Sequence, residues 1–173
     1  MIKKAIGAGI LAGLLLFAVF QHFYKADDPA AIQASTTSAG IDIGLMAPSF
    51  TLKNFAGEEI DLKKYKGRKI MLNFWATWCP PCKEEMPAME KFYKNHSGQI
   101  EILAINLDPQ NDVKGFAEKN DLSFQILLDE SGTTQKSYQI ISIPTTFIID
   151  EKGVILKRHI GSMSYEQMEE LLK

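Results

Sequence analysis

The sequence predicts an α/β domain in which helices cover both faces of a central mixed sheet. Apolar runs of strand length alternate with segments of helical periodicity from about residue 49 onward, a pattern typical of a sheet between two helical layers. A late hairpin, with its turn at Asp150–Gly153, makes the sheet mixed rather than wholly parallel. The only two cysteines, Cys79 and Cys82, lie where the first buried strand runs into the first helix.

Each element is predicted from its own pattern of apolar and polar residues. Alternation predicts a hairpin at the start of the domain, and nearly continuous apolar runs predict strands buried on both faces. Helical spacing predicts the helices, the last of which opens with a capping box at Ser164. The predicted strands are 49–53, 59–62, 70–75, 100–107, 124–128, 145–149 and 154–160, and the predicted helices are 80–93, 112–120, 132–139 and 164 onward.

Composition limits the classes of function that fit this chain. The 173 residues carry 19 basic and 21 acidic side chains, a net charge of −2, so no basic excess indicates binding to nucleic acid. Two cysteines are too few for a disulfide-rich scaffold, and the fold must therefore depend on an apolar core. We expect one domain of ordinary size with a leader in front of it.

The N-terminus has the pattern of a membrane anchor. Lys3 and Lys4 precede residues 5–20, which carry no charge and no strongly polar side chain. Counted through Tyr24, the segment would span about 30 Å as a helix, close to one bilayer core. By the positive-inside rule, the N-terminus of the segment lies in the cytoplasm and the chain that follows the segment is exported. We favour an uncleaved signal anchor over a cleaved signal peptide, because bulky residues follow Phe20.

These patterns divide the chain into three parts. Residues 1–25 are predicted to form the signal anchor or transmembrane helix, and residues 45–173 the folded domain. Residues 26–44 are rich in small and polar residues and are predicted to form a flexible linker with a reach of about 25 Å. The folded domain is therefore expected on the extracytoplasmic side of a membrane.

The Cys-x-x-Cys segment has the features of a redox pair. A thiol at the start of a helix lies near free N–H groups and the positive end of the helix dipole, which favour the thiolate. We predict that Cys79 is the attacking thiol, partly exposed, and that Cys82 is the shielded resolving thiol. Pro80 and Pro81 suit the first helical turn, but they donate no hydrogen bond to a thiolate. The sequence leaves the net effect on the thiolate open.

Two further residues are singled out by position. Glu85 lies one helical turn beyond Cys82 on the same face, where a partly buried carboxyl would have a raised pKa and could exchange protons with the thiols. The alternative is that acids in a first turn only favour the helix dipole, which suits Glu84. Pro144 precedes a predicted strand, and its position alone indicates only the start of that strand.

Other uses of a cysteine pair fit less well. Zinc needs two more ligands, and the histidines occur singly, at His22, His96 and His159. A passive structural disulfide would close a very short loop, for which the entropic gain is small. We expect no metal and no cofactor.

Four segments resemble a known family. They are residues 47–50 (Ala-Pro-Ser-Phe), 73–78 (Asn-Phe-Trp-Ala-Thr-Trp), 78–87 (Trp-Cys-Pro-Pro-Cys-Lys-Glu-Glu-Met-Pro) and 143–150 (Ile-Pro-Thr-Thr-Phe-Ile-Ile-Asp). Together they resemble the membrane-anchored thiol–disulfide oxidoreductases of the ResA, TlpA and CcmG type, which have a thioredoxin-like fold. The likeness extends over residues 44–173 and is far more specific than a lone Cys-x-x-Cys.

The resemblance implies a thioredoxin-like fold with an N-terminal β-hairpin and a central insertion that includes residues 124–128. It implies that Pro144 is a cis-proline facing the disulfide, that Glu85 is the acidic residue that modulates the cysteines, and that Pro87 kinks the first helix. Asn73 stands where thioredoxin has a buried aspartate. Our hypothesis is that Glu85 serves in its place.

The predicted function is extracytoplasmic thiol–disulfide exchange that reduces disulfides in exported proteins. The resemblance offers apocytochrome c as an example of such a substrate. The predicted catalytic residues are Cys79, Cys82 and Glu85. The residues predicted to support the site or bind substrate are Trp78, Pro80, Pro81, Ile143 and Pro144.

The resemblance also implies partners and a location. It suggests a membrane reductant of the CcdA type and a single-pass protein of the bacterial cell membrane, and we expect a monomer. Two alternatives stay open. One is a thiol oxidase or peroxidase, since residues 48–52 also resemble the start of peroxiredoxins. The other is a module that binds polypeptides without turnover.

Overall fold

The computed structural model describes residues 40–172, so the predicted anchor and most of the predicted linker lie outside the described residues. In this range the strands are β1 (Thr51–Lys53), β2 (Glu59–Asp61), β3 (Lys69–Trp75), β4 (Ile100–Asn106), β5 (Gln125–Leu128), β6 (Thr145–Ile149) and β7 (Ile155–Ile160). The α-helices are α1 (Pro80–Asn95), α2 (Val113–Lys119), α3 (Thr133–Ser137) and α4 (Tyr165–Leu172). No helix within residues 40–172 is both long and apolar enough to cross a bilayer.

The strands of the described chain form one mixed sheet in the order β2-β1-β5-β4-β3-β6-β7. The central strands β3, β4 and β5 are parallel, whereas β6 and β7 add to the sheet in antiparallel fashion. The β1–β2 hairpin pairs with the edge of β5 through Lys53 and Leu128. The prediction of a central mixed sheet with an N-terminal hairpin is confirmed.

The pleat of β3 sends successive side chains to opposite faces of the sheet. Ile70, Leu72 and Phe74 pack into one apolar layer with β6 and the segment before it, whereas Met71 and Trp75 pack into the other, beneath α1. Each such buried side chain contributes about 1.5–3 kcal/mol to folding. Asn73 lies on the same side of the pleat as Met71 and Trp75, so a polar amide is placed beneath α1.

The structure changes some predicted boundaries for local reasons. Leu62, predicted to end the second strand of the hairpin, opens a 3-10 helix instead, because the Asp61 carboxylate accepts a hydrogen bond of 2.9 Å from the N–H of Lys63. The predicted capping box of α4 is confirmed. The N–H of Ser164 donates to Gln167 at 2.8 Å, and the N–H of Gln167 donates back to the Ser164 hydroxyl at 3.3 Å.

Candidate active site

The two cysteines lie at the junction of β3 and α1, at the carboxyl end of the parallel strands. They form a disulfide with 5.3 Å between their Cα atoms. Cys79 is the N-cap residue of α1, and Cys82 lies within the first turn of that helix. The junction therefore presents one sulfur at the helix start and holds the other inside the helix.

Cys79 receives the first N–H group that α1 can offer. Pro80 and Pro81 occupy the first two positions of the helix and have no N–H to donate. The N–H of Cys82 donates to Sγ of Cys79 at 3.3 Å. This geometry, together with the helix dipole, favours a thiolate on Cys79 when the disulfide is reduced.

Both sulfurs are buried, so the expectation that Cys79 is partly exposed is wrong. Cys79 is 2% exposed and Cys82 is 0% exposed. The cause is the segment before Pro144: the carbonyl oxygen of Ile143 lies 3.8 Å from Sγ of Cys79, and the Ile143 side chain packs against both apolar layers. The exposed neighbour is Trp78, of which 65% is accessible to solvent.

Pro144 directly follows Ile143, whose carbonyl oxygen lies against Cys79, and it precedes β6. The Ile143–Pro144 peptide bond is cis. The Pro144 carbonyl accepts a hydrogen bond of 2.9 Å from the N–H of Gly161, and the hydroxyl of Thr145 donates to the Ser142 carbonyl at 2.8 Å. These contacts fix the backbone that carries the Ile143 carbonyl to Cys79.

Glu85 is buried beneath the sheet-facing side of α1, with 1% of its surface exposed. Asn73 donates its side-chain amide to Oε1 at 2.9 Å, and the N–H of Met163 donates to Oε2 at 3.1 Å. Burial raises the pKa of Glu85 to about 7, although both hydrogen bonds act in the opposite direction. A carboxyl with this pKa can both release and accept a proton at neutral pH.

Asn73 connects the Glu85 carboxyl to β6. Its amide nitrogen also donates to the hydroxyl of Thr146 at 2.9 Å. Its amide oxygen is buried and has no hydrogen-bond partner among the described residues. The sequence indicated a role for Asn73 but not for Thr146 or Met163. These two residues are distant from Glu85 in the sequence, and only the folded chain brings them near it.

A second buried carboxylate, Asp108, was also missed by the sequence reasoning. It follows β4 and accepts hydrogen bonds from the Thr77 N–H at 3.0 and 3.1 Å, from the Thr77 hydroxyl, and from the amides of Asn106 and Asn111 at 2.6 and 2.8 Å. Burial opposes ionisation, but these donors outweigh it and lower the pKa of Asp108. The available signal was a polar Asn-x-Asp run directly after a buried strand parallel to β3.

Asp108 therefore anchors the loop that leads into the disulfide. Thr77 lies two residues before Cys79, and its backbone is tied to the end of β4 rather than left free. Buried, fully hydrogen-bonded carboxylates of this kind hold one backbone conformation. The loop geometry at Cys79 thus depends on a residue from the neighbouring strand.

Comparisons with known proteins agree with this architecture. The AhpC/TSA family matches residues 43–158. The thioredoxin-like protein YneN of Bacillus subtilis is 41% identical over 99% of this chain and 98% of its own length. The thiol-disulfide oxidoreductase ResA of Bacillus cereus is 35% identical over 95% of this chain and 90% of its own.

Solved structures of thiol–disulfide oxidoreductases resemble this chain as well. The crystal structure of StoA from Bacillus subtilis has a TM-score of 0.65 and is 40% identical over 73% of this chain and 97% of that chain. A putative thiol:disulfide interchange protein DsbE from Chlorobium tepidum has a TM-score of 0.72 and 30% identity, covering 77% of this chain and 96% of that chain. This chain belongs to the AhpC/TSA family and is a thioredoxin-like thiol–disulfide oxidoreductase of the ResA type.

Proposed function

We propose that this protein works as a reductase of disulfides in exported proteins, with Cys79 as the attacking thiol. The observation that carries the proposal is the hydrogen bond from the Cys82 N–H to Sγ of Cys79. A donor aimed at that sulfur stabilises the thiolate, which is the species that attacks a disulfide. Cys82, which is fully buried, is suited to intramolecular resolution only.

The proposed exchange has two steps. The Cys79 thiolate attacks one sulfur of the substrate disulfide, forming a mixed disulfide and releasing the other substrate sulfur as a thiolate that takes up a proton. The Cys82 thiolate then attacks Sγ of Cys79, which breaks the mixed disulfide and releases the second substrate sulfur as a thiolate that also takes up a proton. The substrate gains two electrons and two protons, and the enzyme is left with the Cys79–Cys82 disulfide.

Glu85 is proposed to take the proton that Cys82 must lose before the second step. It lies one turn from Cys82 on α1, and its pKa of about 7 leaves it partly ionised at neutral pH. A base with a pKa near the working pH gives the most effective proton transfer. Return of the same proton accompanies reduction of the enzyme.

The substrate is proposed to lie over Trp78 and the Ile143–Pro144 segment. Trp78 directly precedes Cys79 and is 65% exposed, and Ile141, two residues before Ile143, is 95% exposed, so both offer apolar surface to a substrate. Because Cys79 is 2% exposed, a substrate must present its disulfide on an extended or protruding segment. Pro80 and Pro81 stiffen the loop between the sulfurs.

The membrane setting is part of the proposal. Residues 1–25 are proposed to anchor a monomer in the bacterial cell membrane, with residues 26–44 as linker and residues 45–173 on the extracytoplasmic side. Apocytochrome c is one exported substrate that suits this setting, and a membrane dithiol of the CcdA type would return the enzyme to its reduced form. The relatives named ResA support the activity rather than these partners.

The test is to trap substrates with Cys82→Ser, using Cys79→Ser as the matched control. Without the resolving thiol, the mixed disulfide should persist, so proteins released by dithiothreitol should accumulate on Cys82→Ser and not on Cys79→Ser. A reduction potential of about −250 mV or lower is expected for a reductase, whereas about −120 mV would indicate an oxidase. Capture by neither variant would contradict the proposed exchange.

A further inference from the structure

A basic segment at the far end of the sheet takes no part in the thiol chemistry. Residues 63–69 include five basic side chains and no acidic one, in a chain whose net charge is −2. They are Lys63, Lys64, Lys66, Arg68 and Lys69. The segment leads into the start of β3, whereas the disulfide follows the end of β3, so about 20 Å of strand separates the two.

An apolar cavity of about 370 Å³ opens at this end of the domain. Its interior is made by apolar side chains that include Leu62, Ile70 and Ile149, and its lining also includes Lys63, Lys66 and Lys152. The volume lies within the range of small-molecule sites, which are mainly apolar with a few placed polar groups. Cations around an apolar interior favour a ligand with an anionic head and an apolar tail.

The three lysines in the lining have no ion-pair partner among the described residues. Within residues 40–172, no carboxylate lies within ion-pair distance of Lys63, Lys66 or Lys152. The acidic residue in the lining, Asp150, directs its carboxylate at the β6–β7 turn, where Oδ1 accepts hydrogen bonds of 2.9 and 2.8 Å from the N–H groups of Lys152 and Val154. With three lysines and one carboxylate, the residues that line the cavity carry a net positive charge, which favours an anion.

The described chain begins beside this cavity. The N–H of Gly40 donates a hydrogen bond of 3.0 Å to the carbonyl of Met46, and Met46 is part of the cavity lining. The 39 residues that precede Gly40 include the proposed anchor. The chain therefore enters the described domain at the end of the sheet that holds the cavity.

We propose that the cavity binds an anionic phospholipid, with the phosphate between the lysines and the start of an acyl chain against Leu62, Ile70 and Ile149. That the lipid comes from the membrane rests on the proposed function. That the cavity binds such a lipid rests only on the residues that line the cavity. Lysine side chains near a membrane surface are attracted to anionic lipid headgroups. A lipid bound there lies at the opposite end of β3 from the disulfide and leaves the surface around Cys79 uncovered.

The experiment titrates the full-length oxidised protein, kept in a neutral detergent, with soluble dihexanoyl-phosphatidylglycerol in a calorimeter. We expect saturable binding that Lys63→Gln/Lys66→Gln/Lys152→Gln weakens at least tenfold. The control Lys53→Gln/Lys119→Gln/Lys136→Gln removes the same charge from exposed lysines elsewhere and should leave the affinity within twofold of the unaltered protein. Zwitterionic dihexanoyl-phosphatidylcholine and glycerol phosphate should each bind at least tenfold more weakly.

Several results would overturn the proposal. These are no binding, equal binding of the zwitterionic lipid, glycerol phosphate binding as tightly as the lipid, or equal losses in the two triple variants. The cavity variant should keep its circular dichroism and its exchange with a disulfide peptide, which shows that it is folded. Failure of the Cys82→Ser trap with lipid binding intact would contradict the proposed function alone.

Discussion

The side-chain amide of Asn73 donates a hydrogen bond of 2.9 Å to the buried carboxyl of Glu85, one turn along α1 from the disulfide. The second oxygen of that carboxyl accepts from the N–H of Met163 at 3.1 Å. A strand, a helix and the segment before α4 therefore meet at one titratable group. Because burial outweighs both donors and raises the pKa of Glu85 to about 7, the group gains or loses its proton within the neutral range.

Replacing Glu85 by Gln should change how stability depends on pH. The carboxyl has a pKa of about 7 in the folded protein and 4.5 as its ordinary value. Between these values the native state binds more protons than the unfolded state, so stability falls as pH rises through this window, by up to about 3 kcal/mol. Glu85→Gln lacks this component. Urea unfolding of the oxidised protein at pH 5, 6, 7 and 8 measures the difference from wild type.

The control for this prediction is Glu84→Gln. Glu84 is exposed on the same turn of α1, so its replacement should leave the pH profile parallel to that of wild type. If Glu85→Gln and wild type lose the same free energy between pH 5 and pH 8, the raised pKa assigned to Glu85 is wrong.

Glu85→Gln should also change the reactivity of the reduced site. An ionised carboxyl close to a thiol disfavours a second negative charge, so the neutral amide should make the thiolate easier to form. We expect alkylation of the reduced protein by iodoacetamide at pH 7 to become several-fold faster. The pH profile of alkylation should also lose its inflection near 7. Thiol titration curves identical to those of wild type would count against proton exchange between Glu85 and the cysteines.

The elements of the site that the sequence predicts are those set by local pattern. The continuous apolar run of β3, the prolines at the start of α1 and the Ser164 capping box each depend on neighbours within a few residues, and all three are present. The spacing of Glu85 from Cys82 likewise needs only a helix. Sequence reasoning succeeds here because the interactions are short-range.

The features that sequence reasoning missed depend on contacts between residues far apart in the chain. The closure of Cys79 is made by Ile143, 64 residues away, and a residue's exposure cannot be inferred until that segment is placed. The partner of Glu85 at Met163 is 78 residues distant, and the tie from Asp108 to Thr77 spans 31. None of these pairs has a local signature, so only the assembled sheet brings them together.

The predicted capping box provides a test of α4. Ser164→Ala removes the hydroxyl that accepts from the Gln167 N–H and should destabilise the protein by about 1 kcal/mol. The effect is global because Met168 of this helix is fully buried beneath α1. Ser164→Thr keeps the acceptor and should restore most of the loss. Equal urea midpoints for Ser164→Ala and wild type would show that the cap contributes nothing.

Asp108→Asn tests the anchor of the active-site loop. The native carboxylate accepts from the Thr77 N–H and hydroxyl and from two asparagine amides, and an amide in its place would oppose at least one of these donors. We expect a loss of about 1–3 kcal/mol at pH 7 from the group left unpaired. Because Thr77 positions Cys79, the same substitution should also lower the rate of disulfide exchange.

Unfolding measured at acid pH distinguishes the effect of the Asp108 charge from the effect of its hydrogen-bonding geometry. Its folded pKa is lowered, so the stabilisation is present above the ordinary value of 3.8 and is lost as pH falls through the folded pKa. Wild type should therefore lose stability below about pH 4 more steeply than Asp108→Asn. Asp112→Asn is a matched control, since Asp112 caps α2 and asparagine caps equally well. Parallel acid limbs for wild type and Asp108→Asn would mean that folding does not lower the pKa of Asp108, and its hydrogen-bond donors would then not favour the charged form.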